Sequence, residues 1–575
     1  MNKRAVALSI AMTVLGGCNH ESSTPSQSHT PQVTTADTIY FGGDILTMEG
    51  EIPQYVEAVA VLNGKIIFTG EYEKAMSYRL ATTNLVDLKG KTLLPGFIDT
   101  QGQIAQYGMS LGMANVMASP YGSSDDFSSL KQALQSYIEQ HNIKPGEWVV
   151  GTGYDTTVLP SHPTKAILDE VSTDNPILLV HASGHIGALN SKALELANIT
   201  DTTPNPKGGV IQRDGHNHPN GIVEETALWP ILLNLPMVTQ SDRLELLDNA
   251  QRIYASQGVT TAQDSSTTAE DLDLLSDAAA KNRLFLDVIT YPMLDQIGKE
   301  WQPDFRHYQH YQSNLKIGGV KLNLDGSIAG QTAYLTHPYH MPPHGEDSQY
   351  KGRPNYSDKQ VQQLVKLAWD QNLQIQAHCN GDAACDQFLN AVKSIKHSTQ
   401  KDWRPVMVQA QLTRPDQIHD LKQLNIIPSF EMTHVYLFGD YYHDSALGDA
   451  LTQHLDPAKS AFDAGLHATF HTDSPEMQPD MLMTIWSSVN RVTRAGALLG
   501  NAEKVSVYQA LEAVTRYAAY QNFEEKSKGT INNGKVADFV ILDRNPLKVE
   551  PSELRDIHVE TTIKDGHPIW QKVAL

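Results

Sequence analysis

Apolar runs of strand length recur along the middle of this chain, and helix-compatible sequence follows each of them. Eight runs stand out: Thr92–Asp99, Val259–Gln263, Leu284–Thr290, Gly319–Leu324, Leu373–His378, Val406–Gln411, Ile426–Glu431 and His467–Asp473. Strands alternating with helices predict a parallel α/β sheet. Eight of them predict a closed (β/α)8 barrel with its chemistry at the C-terminal strand ends. The pattern changes toward both ends of the chain. Ile39-Tyr40-Phe41, Val59-Ala60-Val61 and Lys65-Ile66-Ile67-Phe68 are short β-prone runs, and Asn63-Gly64 between two of them is a hairpin signal. Gly534 to Leu542 and the residues after it read as strands again. Roughly 150 residues separate the first two barrel strands, far more than a loop holds. Within them Leu130–Gln140 and Leu244–Gln257 read as helices and Pro176–Val180 as a strand, so an inserted lid or cap is expected over residues 108–257.

Composition narrows the class. With 575 residues, 40% hydrophobic and 19% charged, the chain is an ordinary globular protein with room for several domains. Its 44 basic against 65 acidic side chains, net −21, argue against nucleic acid or an anionic surface as partner. A small-molecule substrate is expected instead, and the pattern is silent on oligomeric state. Residues 1–18 read as an export signal: Lys3 and Arg4 precede a short apolar core from Ala5 to Leu15. Leu15-Gly16-Gly17-Cys18 resembles a bacterial lipobox, which implies cleavage before Cys18 and lipidation of its sulfur. Asn19 after it points to the outer membrane by the bacterial sorting pattern. Residues 19–36, rich in Ser, Thr, Pro and Gln, read as a flexible tether. The expected location is the cell envelope, with membrane contact through the lipid anchor alone. Cys379 and Cys385, the cysteines left in the mature body, make no disulfide framework and read as unpaired thiols.

The candidate chemistry starts at Leu94-Pro95-Gly96-Phe97-Ile98-Asp99-Thr100-Gln101-Gly102-Gln103. Alternation along a strand points Gln101 and Gln103 the same way. This stretch resembles the Pro-Gly-Phe-Ile-Asp-x-His-x-His signature of the amidohydrolase superfamily, with both histidines replaced by glutamine. Further blocks follow in family order: Ser183-Gly184-His185 with Leu189-Asn190-Ser191-Lys192-Ala193-Leu194, Gly221-Ile222-Val223-Glu224, Gly318 to Ser327, Ala377-His378-Cys379-Asn380-Gly381-Asp382, and Thr472-Asp473-Ser474-Pro475. Together they resemble amidohydrolase family 3, with its formamide deformylase-like members. The resemblance implies a TIM-like amidohydrolase barrel over 92–107 and 258–524, and a composite β-sandwich domain formed by 37–91 with 525–575. It also implies hydrolysis at a carbon–nitrogen bond of a small, non-peptide amide.

Family members hold metal with His-x-His on strand one, a lysine on strand four, histidines on strands five and six, and an aspartate on strand eight. Position by position, Lys321, His378 and Asp473 are retained here, while Gln101, Gln103 and Gln409 replace the histidines. A glutamine nitrogen has no lone pair for a metal, and its oxygen is a neutral, hard ligand. Neither family metal site keeps three good ligands, so the expectation is a degenerate centre without tightly held zinc. The alternative is one metal weakly held by amide oxygens, water and the residual set Lys321, His378 and Asp473. Without metal, Lys321 is a free amine, paired to Asp473 or lowered in pKa.

The expected catalytic set is Asp473 as base, His378 as acid or orienting group, and Lys321; Gln101, Gln103 and Gln409 shape the pocket. His185 in the insert, Asp325, His434 and His471 are further substrate-facing candidates, with a structural role open for His185 and a capping role for Asp325. His216 and His218 mimic a metal pair but sit in a Pro/Gly-rich loop that reads as a solvated turn. Two other functions fit the retained groups: a metal-free lyase or isomerase, and a non-catalytic binding or regulatory lipoprotein.

Overall fold

The computed structural model describes residues 35–573 apart from 183, 185, 237–238, 299–300, 344–345 and 397–400. Cys18, the export signal and most of the tether lie outside the described residues, as does His185.

Strands from the two ends of the chain form one sheet, in which Thr92–Pro95 pairs antiparallel with Phe539–Leu542. The strands Tyr55–Leu62 and Lys65–Gly70 make the hairpin read from Asn63-Gly64. Both turn residues take positive φ, 48° and 72°, as a two-residue turn between twisted strands requires.

The barrel strands run Phe97–Ile98, Val259–Thr267, Asp287–Pro292, Leu315–Ile317 continued by Val320–Asn323, Ile375–Cys379, Val406–Gln409, Ile427–Phe430 and Thr469–Phe470, with parallel neighbours. All eight expected runs contribute a strand, but the first is divided. Thr92–Pro95 belongs to the β-domain, and the chain crosses into the barrel at Gly96, where a Cβ would lie 2.4 Å from the Thr260 side chain. The fourth strand breaks at Gly318-Gly319, where a Cβ would meet the Tyr291 ring and the Gln374 carbonyl. The barrel wall and its helices bury one large apolar cluster, which includes Leu322, Ala377, Met407 and Phe430.

The insert carries its own six-stranded sheet, with Val149–Tyr154, Ile177–His181, Ile186–Leu189 and Pro219–Glu225 at its centre. The helix Gln240–Ser256 does not belong with that sheet. Its Leu247, Ala250 and Tyr254 are buried in the barrel cluster, so the chain returns to the barrel before residue 257. His216 and His218 sit in an exposed turn, with His218 2.8 Å from Asp201.

Candidate active site

The pocket opens at the C-terminal ends of the barrel strands and is a cavity of about 300 Å³. Gln101, Gln103, Lys321, Asn323, His378, Asp473 and Glu476 line its barrel side. The insert roofs it with Thr152, Val180, His181, Ala182 and Gly184.

Its floor is a chain of hydrogen bonds. Lys321 Nζ donates to Gln101 Oε1 at 2.9 Å. Gln101 Nε2 in turn donates to Asp473 Oδ1 at 2.5 Å. Gln409 Nε2 donates to the other carboxylate oxygen of Asp473. The Asp473 backbone N–H also bonds the Gln101 carbonyl at 3.0 Å, closing strand eight onto strand one. Gln409 and Asp473 both sit in the left-handed region, at φ 70° and 51°. Such conformations cost a non-glycine residue roughly 1–2 kcal/mol, and here they turn the two side chains toward each other at the strand ends. Asp99 anchors the segment by accepting from the Thr472 hydroxyl at 2.6 Å.

Charge follows from this geometry. Burial disfavours the charged form of Asp473, but neighbouring positive charge, from His471 where that ring is protonated and from Lys321, outweighs it and holds its pKa below the ordinary carboxylate value. Burial pushes His471 down to about 3, so near neutral pH the Lys321 ammonium and the two amide donors stabilise the carboxylate. Burial also lowers Lys321 to about 8, against a smaller opposing pull from Asp473.

The remaining candidates divide. His378 borders the pocket, with Nδ1 3.3 Å from Asp325 Oδ1 and Nε2 3.2 Å from the Asn380 amide. Asp325 is a clamp: it accepts from the backbone N–H groups of Tyr334, Asn380 and Gly381. His471 is fully buried against the Ser429 hydroxyl at 2.9 Å. His434 Nδ1 is 2.5 Å from the Gln411 amide, and burial lowers its pKa to about 4. Gln103 lines the pocket, and its backbone N–H is held by the Ser474 carbonyl at 2.7 Å. Cys379 and Cys385 are buried free thiols beside the site.

Sequence reading missed Glu476, His181 and Asn323. Glu476 stands three residues beyond Asp473, past the end of the recognisable block, and its carboxyl is in hydrogen-bonding contact with Asp473. Burial and the Asp473 charge push its pKa well above the ordinary value.

The donor set does not fit a catalytic zinc. Gln101 and Gln409 turn amide N–H groups, which carry no lone pair for a metal, toward Asp473, and Lys321 donates to the Gln101 oxygen. Among the described residues no group of three or more His, Cys, Asp or Glu side chains could hold a metal ion.

The profile of the amidohydrolase family matches residues 84–570, and the chain belongs to that family. It is 26% identical to YtcJ of Bacillus subtilis, named for the same family, over 93% of this chain and 99% of that one. To the N-substituted formamide deformylase of Arthrobacter pascens it is 28% identical, over 89% and 94% of the two chains. The crystal structure of an uncharacterized metal-dependent hydrolase from Pyrococcus furiosus superposes with a TM-score of 0.69 at 25% identity, covering 89% of this chain and all of that one. The protein is a hydrolase built on the amidohydrolase barrel, of the class that acts on carbon–nitrogen bonds.

Proposed function

We propose that the protein is an exported, lipid-anchored hydrolase that cleaves the carbon–nitrogen bond of a small, non-peptide amide without a tightly held metal. One observation carries this reading: Asp473, hydrogen-bonded on both carboxylate oxygens, and Lys321 are linked through Gln101 at the floor of a cavity sized for a small molecule. A carboxylate offers about four acceptor sites, and the two glutamines use two, so Asp473 keeps capacity to take a proton from an attacking water. Lys321 has two N–H donors beyond the one given to Gln101, and these are the groups available to a developing oxyanion. His378, steadied between Asp325 and Asn380, orients the substrate. The deformylase among its relatives supports amides as the substrate class.

The test is amine release from a panel of N-formyl and N-acetyl amines, with elemental analysis of the same preparation. Asp473→Asn removes the base and is expected to lower kcat by about 100-fold or more. Unchanged turnover in that variant would remove the assignment.

A further inference from the structure

Asn323, His378 and Glu476 border both the barrel pocket and an adjoining cavity of about 510 Å³, so a substrate spanning the two passes against them. Of the three, Glu476 brings a second carboxyl to Asp473. The backbone N–H of Glu476 donates to the Asp473 carbonyl at 3.0 Å, a tight turn that brings both residues to the wall of the same pocket, with their carboxyls in contact. Two carboxyls in contact cannot both be ionised, and their environments decide which keeps the proton. Asp473 receives an amide N–H on each oxygen, which favours its charged form. Glu476 receives neither amide, and about a quarter of its side chain is open to the cavities.

We propose that Glu476 is a catalytic residue, the proton donor to the leaving nitrogen, and works as a pair with Asp473; this rests on the amide-hydrolysis reading above. Water attacks the amide carbon while Asp473 takes one of its protons. The C–N bond of the tetrahedral intermediate breaks, its electron pair goes to nitrogen, and Glu476 supplies the proton that makes the free amine. The acid product leaves, and the proton now on Asp473 passes across the direct contact to Glu476, restoring the starting state. Amide and water are consumed, and acid and amine are formed. The other groups around Glu476 do not compete for its proton. His434 Nε2 is 3.9 Å away, and burial keeps that ring neutral near pH 7. Lys321 is tied to Gln101, and His378 leans on Asp325. The pair supplies from side chains the acid and base functions that the glutamine-substituted floor cannot supply through a metal.

Leaving-group dependence tests it. A proton donor matters most for an alkylamine and far less for 4-nitroaniline, whose nitro group spreads the charge left on nitrogen. Purified full-length protein is assayed on N-formylbutylamine and N-formyl-4-nitroaniline. Glu476→Gln is expected to lower kcat on the first by about 100-fold with KM held, and on the second by under about 5-fold. Glu476→Asp, a shorter acid, should fall between wild type and Glu476→Gln on the alkyl substrate. Equal losses on both substrates, or none, would overturn the proposal and leave the hydrolase reading standing. Wild-type protein that cleaves neither substrate would overturn both.

Discussion

At the scale of single residues, the site turns on what a glutamine does where the signature that this stretch resembles has imidazole. Its amide donates and accepts at once, and Gln101 uses both capacities, bridging Lys321 to Asp473. A neutral histidine there carries, beside its one N–H, a bare ring nitrogen with a lone pair for a metal, which the glutamine amide lacks. Replacing Gln101, Gln103 and Gln409 together with histidine is therefore expected to release Asp473 and create a set that binds zinc stoichiometrically, measured by elemental analysis after dialysis. Failure to gain zinc would mean that the surrounding hydrogen bonds, not the ligands alone, have been rebuilt. The replacement and the retained Lys321, His378 and Asp473 were legible in the sequence because each sits in a recognisable block. The direction of the Gln409 amide was not. It depends on two left-handed residues at strand ends, Gln409 and Asp473, and alternation of polar and apolar positions carries no information on φ. Glu476 was invisible for a related reason: its contact with Asp473 is made by a turn beyond the motif.

At the scale of elements, strand and helix order was legible in the barrel, since fully apolar runs bounded by turns suit the buried strands of a parallel sheet, but in the insert one strand was read where the structure has six. Boundaries were not, above all where one run serves two sheets. Thr92–Asp99 reads as a single strand, yet Gly96 hands it from the β-domain to the barrel. That junction is braced by a buried charge network that no local pattern announces. Lys528 donates to Asp287 at 2.5 Å, to Thr261 at 3.0 Å and to Tyr311 at 3.2 Å. Lys564 on a β-domain strand lies 3.1 Å from the same Asp287 and 3.4 Å from Asp538. The second and third barrel strands are thus tied to the C-terminal strands through one carboxylate. Lys528→Met keeps the volume but leaves Asp287 short of its closest partner in a buried place. The expected cost is about 3–5 kcal/mol, read from the urea midpoint at constant m. A shift within experimental error would show that Lys564 alone balances the network.

At the scale of the whole molecule, the barrel holds the chemistry, the insert roofs it, and the N-terminal segment is expected to decide where it works. Roof and barrel are joined by Arg494, which pairs with Asp155 at 3.0 Å and reaches the Ser119 carbonyl at 3.0 Å. Among the described residues no helix is long and apolar enough to cross a membrane. The net charge of −21 gives no attraction to anionic headgroups. The acyl group proposed for Cys18 is the expected means of retention at a membrane. Cys18→Ser, expressed with its export signal, is expected to lose incorporation of labelled palmitate and to move from the membrane pellet to the soluble periplasmic fraction. The wild type should stay in the pellet through a high-salt wash, because salt screens charge pairs and leaves an acyl anchor untouched. Turnover per molecule should be unchanged, since the substitution alters no residue that lines the pocket. A Cys18→Ser protein that still pellets after the wash would place the membrane contact on the folded body instead.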